Sequence, residues 1–159
     1  MVLRNLLIWS AVLFTCSPAY AGGTLWKVRP DGVGPISIGM RCDAVGRILK
    51  EPICTPTDPL YVRPRNLEGL ELLFIDGVLS RLRVEGSLRT IASGISIGDP
   101  VAKIEKLYGA SLHRESIPYD DRAQDLTVAF GQYAVAFETY DGKVASIFVG
   151  YRDQIGYLE

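Results

Sequence analysis

Gly34-Pro35-Ile36-Ser37-Ile38-Gly39-Met40 is echoed by Ser93-Gly94-Ile95-Ser96-Ile97-Gly98-Asp99, and this doubled Ile-Ser-Ile-Gly decides how the chain is read. The match runs on past the glycines. Six residues after each stand Val45 and Ile104, and three later Ile48 and Leu107. Apolar residues at that spacing mark one stripe of a short amphipathic helix. Asp43 and Asp99-Pro100 belong to first turns, where acid and proline suit the exposed N–H groups. The spacing predicts one helix ending at Lys50-Glu51-Pro52 and a second stopping at Gly109.

Each unit then continues into a hairpin. Leu70–Ile75, Asp76-Gly77 and Val78–Glu85 form one, and Tyr133–Tyr140, Asp141-Gly142 and Lys143–Tyr151 form the other. Asp-Gly between β-rich runs is a strong hairpin signal because both turn residues need positive φ. The distance from repeat glycine to turn aspartate is 37 residues in the first unit and 43 in the second. The added length falls in Ser116–Gln124, read as a polar loop. The expected fold is α+β: two tandem helix–β-hairpin repeats, 22–92 and 93–159, forming one antiparallel sheet with helices on one face.

Alternation along the strands sorts their faces. Leu82, Val84, Ile147 and Val149 are expected in the core. Arg81, Arg83, Glu85, Glu138, Tyr140 and Phe148 are then expected on the opposite face. Arginines and aromatics are enriched at protein interfaces, so this face is the candidate partner-binding surface, joined by Tyr119, Asp120 and Asp121 of the polar loop.

Gly39-Met40…Val45…Leu49 and Gly98…Ile104…Leu107-Tyr108-Gly109 resemble the helix–strand modules of the β-lactamase inhibitory protein family and of the SmpA/OmlA-type outer-membrane-assembly lipoproteins. The resemblance covers about residues 33–159. It implies helices packed on an antiparallel sheet, with no inhibitor contact residue transferred. Arg41, Lys50 and Asp99 depart from its pattern, and the lipid-anchor cysteine of the assembly proteins is missing.

The first 21 residues read as a secretory signal: Arg4, the apolar run Leu6–Phe14, and Ala19-Tyr20-Ala21 as the cleavage pattern. The run is too short for a bilayer-spanning anchor. Cys16 follows Phe14 and Thr15, which suit a lipidation site poorly. Cleavage after Ala21 would leave 138 residues and two cysteines, Cys42 and Cys54. In an oxidising compartment such a pair is expected to bridge, with no C-x-x-C spacing to suggest redox chemistry. The expected location is the periplasm.

The whole chain has 17 basic and 18 acidic residues and a single histidine. The charge balance leaves no basic excess for nucleic acid. His113 has no nucleophile motif beside it, and Asp120, Asp121 and Asp125 lack EF-hand spacing. Gly32-Val33-Gly34 lacks the rest of a phosphate loop, and Pro56–Arg65 reads as a turn-rich connector. No enzyme, cofactor or metal is expected. Residues 90–159 hold 6 basic and 10 acidic residues, a surplus that could steer a basic partner. The leading expectation is an exported protein that binds another protein, an inhibitor or immunity type acting on an envelope enzyme. The alternatives are an envelope-assembly scaffold and a hydrolase with dispersed carboxylates.

Overall fold

The computed structural model describes residues 26–86, 90–118 and 120–155, with the side chains of 90–92 left aside; the expected signal segment and Tyr119 lie outside these residues. In chain order the elements are β1 (Trp26–Arg29), β2 (Gly32–Val33), β3 (Ile36–Ser37), α1 (Cys42–Leu49), β4 (Leu60–Val62), β5 (Leu70–Ile75) and β6 (Val78–Glu85). There follow β7 (Thr90–Ala92), α2 (Val101–Tyr108), β8 (His113–Ser116), β9 (Ala123–Phe130), β10 (Tyr133–Tyr140) and β11 (Lys143–Tyr151).

This corrects the expected α+β class of helix–hairpin repeats with helices on one face. The described chain is mostly β, with eleven strands in two sheets and two helices of only eight residues each. Seven strands form an antiparallel sheet in the order β4-β5-β6-β11-β10-β9-β8. The other four, β3-β2-β1-β7, form a smaller sheet that includes one parallel pairing, β1 with β7. The reading missed this second sheet because two-residue strands carry no periodicity. It also missed β8 and β9, which extend into the stretch taken as a loop, and β4, which lies in the stretch taken as a connector.

What does repeat is a backbone joint between each Ile-Ser-Ile-Gly segment and the hairpin that follows it. Gly39 N–H donates to Leu79 C=O and Gly98 N–H to Val144 C=O, each at 2.8 Å. Cys42 N–H donates to Gly77 C=O and Val101 N–H to Gly142 C=O, each at 2.9 Å. The return bonds match too, Leu79 N–H to Met40 C=O and Val144 N–H to Asp99 C=O. Gly39 and Gly98 hold φ of 89° and 88°, a conformation that costs glycine little and other residues more. Both hairpins carry a bulge at the equivalent place: Ser80 and Ala145, each four residues past the turn aspartate, stand unpaired in the ladder.

The two hairpins meet along one seam, where β6 pairs with β11 from Arg81↔Gly150 to Glu85↔Ser146. Alternation gives the large sheet two unlike faces. On the inner face Leu72, Leu82, Val84, Leu126, Phe137, Ile147 and Val149 are buried. They join Val45 and Leu49 of α1, Ile104 of α2, and Val28, Val33 and Ile36 of the small sheet in one core. The layer over that face is therefore part helix and part strand. A disulfide joins Cys42, at the start of α1, to Cys54, with Cα atoms 5.7 Å apart. No helix among the described residues is long and apolar enough to cross a membrane.

Candidate functional site

The outer face of the seven-stranded sheet gathers the candidate residues in two adjacent cross-strand rows. One row runs Glu71, Arg83, Phe148, Ala136, Thr127, His113 across β5, β6, β11, β10, β9 and β8. The next runs Glu85, Ser146, Glu138, Asp125, Glu115 from β6 to β8. Residues directly opposite in neighbouring strands lie about 5 Å apart, close enough for their side chains to interact.

Phe148 sits half-buried between two guanidiniums. Arg81 lies 5.7 Å and Arg83 5.1 Å from the ring centroid, within cation–π range. Around the ring the strands carry small residues. Ala134 and Ala136 pack with Phe148 and with Ile155, which follows a short 3-10 turn at Arg152–Gln154. Gly150 is required there: a Cβ would come within 2.8 Å of Ser80 C=O and 3.1 Å of Ile155. The face thus has an apolar patch of its own, separate from the main core.

Arg83 also organises the charges. Its Nη2 donates to Glu138 Oε2 at 2.9 Å and its Nη1 lies 3.3 Å from Glu85. The Ser146 hydroxyl donates to the same Glu138 oxygen at 2.7 Å. Arg63 holds Glu71 at 2.7 Å. Beyond Glu138 the row turns wholly acidic, with Asp125 between Glu138 and Glu115. Burial, then the Glu138 and Glu115 charges, push the Asp125 carboxyl up to about 6, with Arg83 pulling weakly the other way. Asp125 Oδ1 and Arg83 Nε are buried without a hydrogen-bond partner among the described residues. The three carboxylates do not converge as metal ligands would; no such group is formed among the described residues.

Of the expected binding residues, Arg81, Arg83, Glu85, Glu138 and Phe148 come together here. Tyr140 shares their face farther along β10, with Arg122 4.5 Å from its ring centroid. Asp120 accepts from the Arg122 N–H at 3.1 Å and Asp121 is exposed, so these two form a margin rather than a centre. Asp125, grouped with Asp120 and Asp121 by its place in the sequence, is a strand residue. Glu115, Ser146 and Ile155 escaped notice as site members. Leu126 and Val128 against Asp125 and Thr127 is an alternation that would have found β9. His113 is exposed on β8 with no carboxylate paired to it among the described residues.

Three surface cavities occur: one at the margin of this face, lined by Arg63, Leu70 and Glu85, one between the disulfide and the Asp76-Gly77 turn, and one under the C-terminal end of α1. None of the three includes Asp125, Glu138 or Phe148 in its lining.

No family model matches the chain, and no curated protein matches it. Among solved structures it is similar to the uncharacterised protein YfeY from Escherichia coli, at 16% identity over 58% of this chain and 70% of that one, with a TM-score of 0.39. It is also similar to a cysteine-rich secretory protein from Staphylococcus aureus, at 10% identity over 74% of this chain and 46% of that one, with a TM-score of 0.43. Neither is named for the inhibitory-protein or assembly-lipoprotein families, and both likenesses are too distant to bring a function to this chain.

Proposed function

We propose that this is an exported, non-catalytic binding module of the periplasm that masks another protein with the outer face of its large sheet. The observation that carries the reading is Phe148, half-buried on an apolar patch and flanked by Arg81 and Arg83. Aromatic and arginine side chains set together in this way are what binding hot spots are made of. Export is supported by the signal-like leader and by the Cys42–Cys54 disulfide, which suits an oxidising compartment. An inhibitor or immunity-type role is the form of masking proposed.

The test is affinity capture from periplasmic extract with the tagged protein, compared with Arg83→Glu and Phe148→Ala. Both substitutions are expected to lose the captured protein while leaving the fold intact by circular dichroism. Capture that survives both would overturn the reading.

A second reading, a hydrolase using Asp125 with Glu138, gains from the raised Asp125 carboxyl. The binding reading is preferred because none of the three cavities walls in these acids. Turnover of a glycoside or ester panel that is lost in Asp125→Asn would reverse that preference.

A further inference from the structure

The charge on the outer face narrows what its partner presents. Arg63, Arg81 and Arg83 stand against Glu71, Glu85, Glu138, Asp125 and Glu115. The arginines are already engaged: Arg63 with Glu71 and Glu85, Arg83 with Glu85 and Glu138, and Arg81 with Phe148 and the Gln154 carbonyl. The uncompensated charge therefore falls on Asp125 and Glu115, which enter no ion pair among the described residues. Beside them Phe148 is half-exposed, seated on Ala134, Ala136 and Ile155, which are themselves buried.

We infer that the outer face recognises a protein segment carrying a lysine or arginine next to an apolar side chain, the cation settling over Asp125 and the apolar group against Phe148. The inference rests on the docking reading above and adds the partner's chemistry to it. A cation placed over the part of Asp125 that reaches solvent offsets a charge that no ion pair offsets among the described residues. It also relieves the repulsion among three carboxylates set opposite one another on β8, β9 and β10. An acidic segment meets that same repulsion, so the surface discriminates by charge sign as well as by shape.

Acid should weaken this recognition. The titratable and charged groups sharing the face around Asp125 are Glu115 and His113 on β8, Arg122 just before β9, Glu138 and Tyr140 on β10, Lys143 on β11, and Arg83 and Glu85 on β6. Protonation of Asp125 removes one negative charge from the strip.

The probes are the blocked peptides acetyl-Phe-Lys-Phe-amide and acetyl-Phe-Glu-Phe-amide, titrated into isotope-labelled, oxidised protein and followed by amide chemical shifts. The lysine peptide is expected to shift His113–Ser116, Ala123–Val128 and Tyr133–Tyr140, and the glutamate peptide to shift none of them. Lysine-peptide affinity should fall about tenfold from pH 7.5 to pH 5, following the ionised fraction of a carboxyl near 6. Asp125→Asn should weaken binding and flatten that pH dependence, and Glu115→Gln should weaken it while leaving the rest of the spectrum in place. Equal binding of both peptides, shifts confined to other acids such as Asp43 or Asp76, or no shift at all would overturn the inference. If the lysine peptide fails while Phe148→Ala still abolishes capture, the cation falls and the docking face stands. Capture indifferent to Phe148→Ala and Arg83→Glu removes the docking face itself.

Discussion

The two faces of the seven-stranded sheet are built from alternate residues of the same strands, yet they obey different rules. On the inner face Phe137, Ile147 and Val149 are sealed among other apolar side chains, and among the described residues no buried side-chain polar atom there lacks a partner. One residue along each strand, Glu138 and Phe148 sit among crowded charges, with two buried polar atoms unmatched nearby. The backbone geometry is shared, so the contrast lies in side-chain chemistry alone. The inner face satisfies what a fold needs. The outer face keeps a repulsion that stability alone would remove, and such local conflicts concentrate where proteins bind or react.

The sharpest way to break this contrast is to truncate one aromatic on each face. Phe137→Ala should cost about 3–5 kcal/mol in denaturant titration, since its side chain is fully buried. Phe148→Ala should cost about 1 kcal/mol or less and act on partner capture instead. Equal losses would mean that the outer patch is core after all. Next in size is the layer over the inner face. Replacing both cysteines by serine frees α1 and should lower stability by about 3 kcal/mol, the chain-entropy value for so short a loop. Shifts in the hydrogen exchange of α1 but not of β8–β10 would confirm that the loss stays on the inner side.

The smallest effect has the opposite sign and sharpens the contrast most. Because its folded carboxyl titrates higher than in the unfolded chain, Asp125 holds a proton on folding between the ordinary aspartate value of 3.8 and about 6. Its favourable contribution is complete below that window and is lost as pH rises through it. Asp125→Asn should therefore raise stability by about 1 kcal/mol at pH 7.5, after allowing for solvent screening, and give no gain at pH 3.5. Asp99 behaves in reverse. Lys103 and the Ser96 N–H hold its carboxyl below the usual range, so its contribution is present at neutral pH and lost on acidification. Asp99→Asn should destabilise at pH 7.5 and converge with the parent in acid. Thermal melts of both variants at several pH values check the pair.

Much of this was legible in the residues. Asp76-Gly77 and Asp141-Gly142 mark the two hairpins, whose strands run Leu70–Ile75, Val78–Glu85, Tyr133–Tyr140 and Lys143–Tyr151. Alternation assigned Leu82, Val84, Ile147 and Val149 inward. The class was misjudged because each helix spans only eight residues and because β1 finds its parallel partner β7 across most of the first half. That pairing leaves no local signal. The acidic strip was hidden for a related reason. Glu115, Asp125 and Glu138 become neighbours only through the register of β8, β9 and β10, which no spacing along the chain announces. Reading Ser116–Gln124 as loop then placed Asp125 beside solvent instead of between two carboxylates.

The β6–β11 seam has a consequence for how such a chain is assembled. Each hairpin shields a strand edge of the other along Arg81–Glu85 and Ser146–Gly150. Split within 87–89, each fragment would display that edge as an open ladder, ready to pair with any strand offered. The two fragments made together should therefore rejoin, and either one alone should turn to aggregation or to a copy of itself. Covalent linkage of the halves acts here as a chaperone written into the chain, delivering the correct neighbour to an edge that would otherwise accept the wrong one.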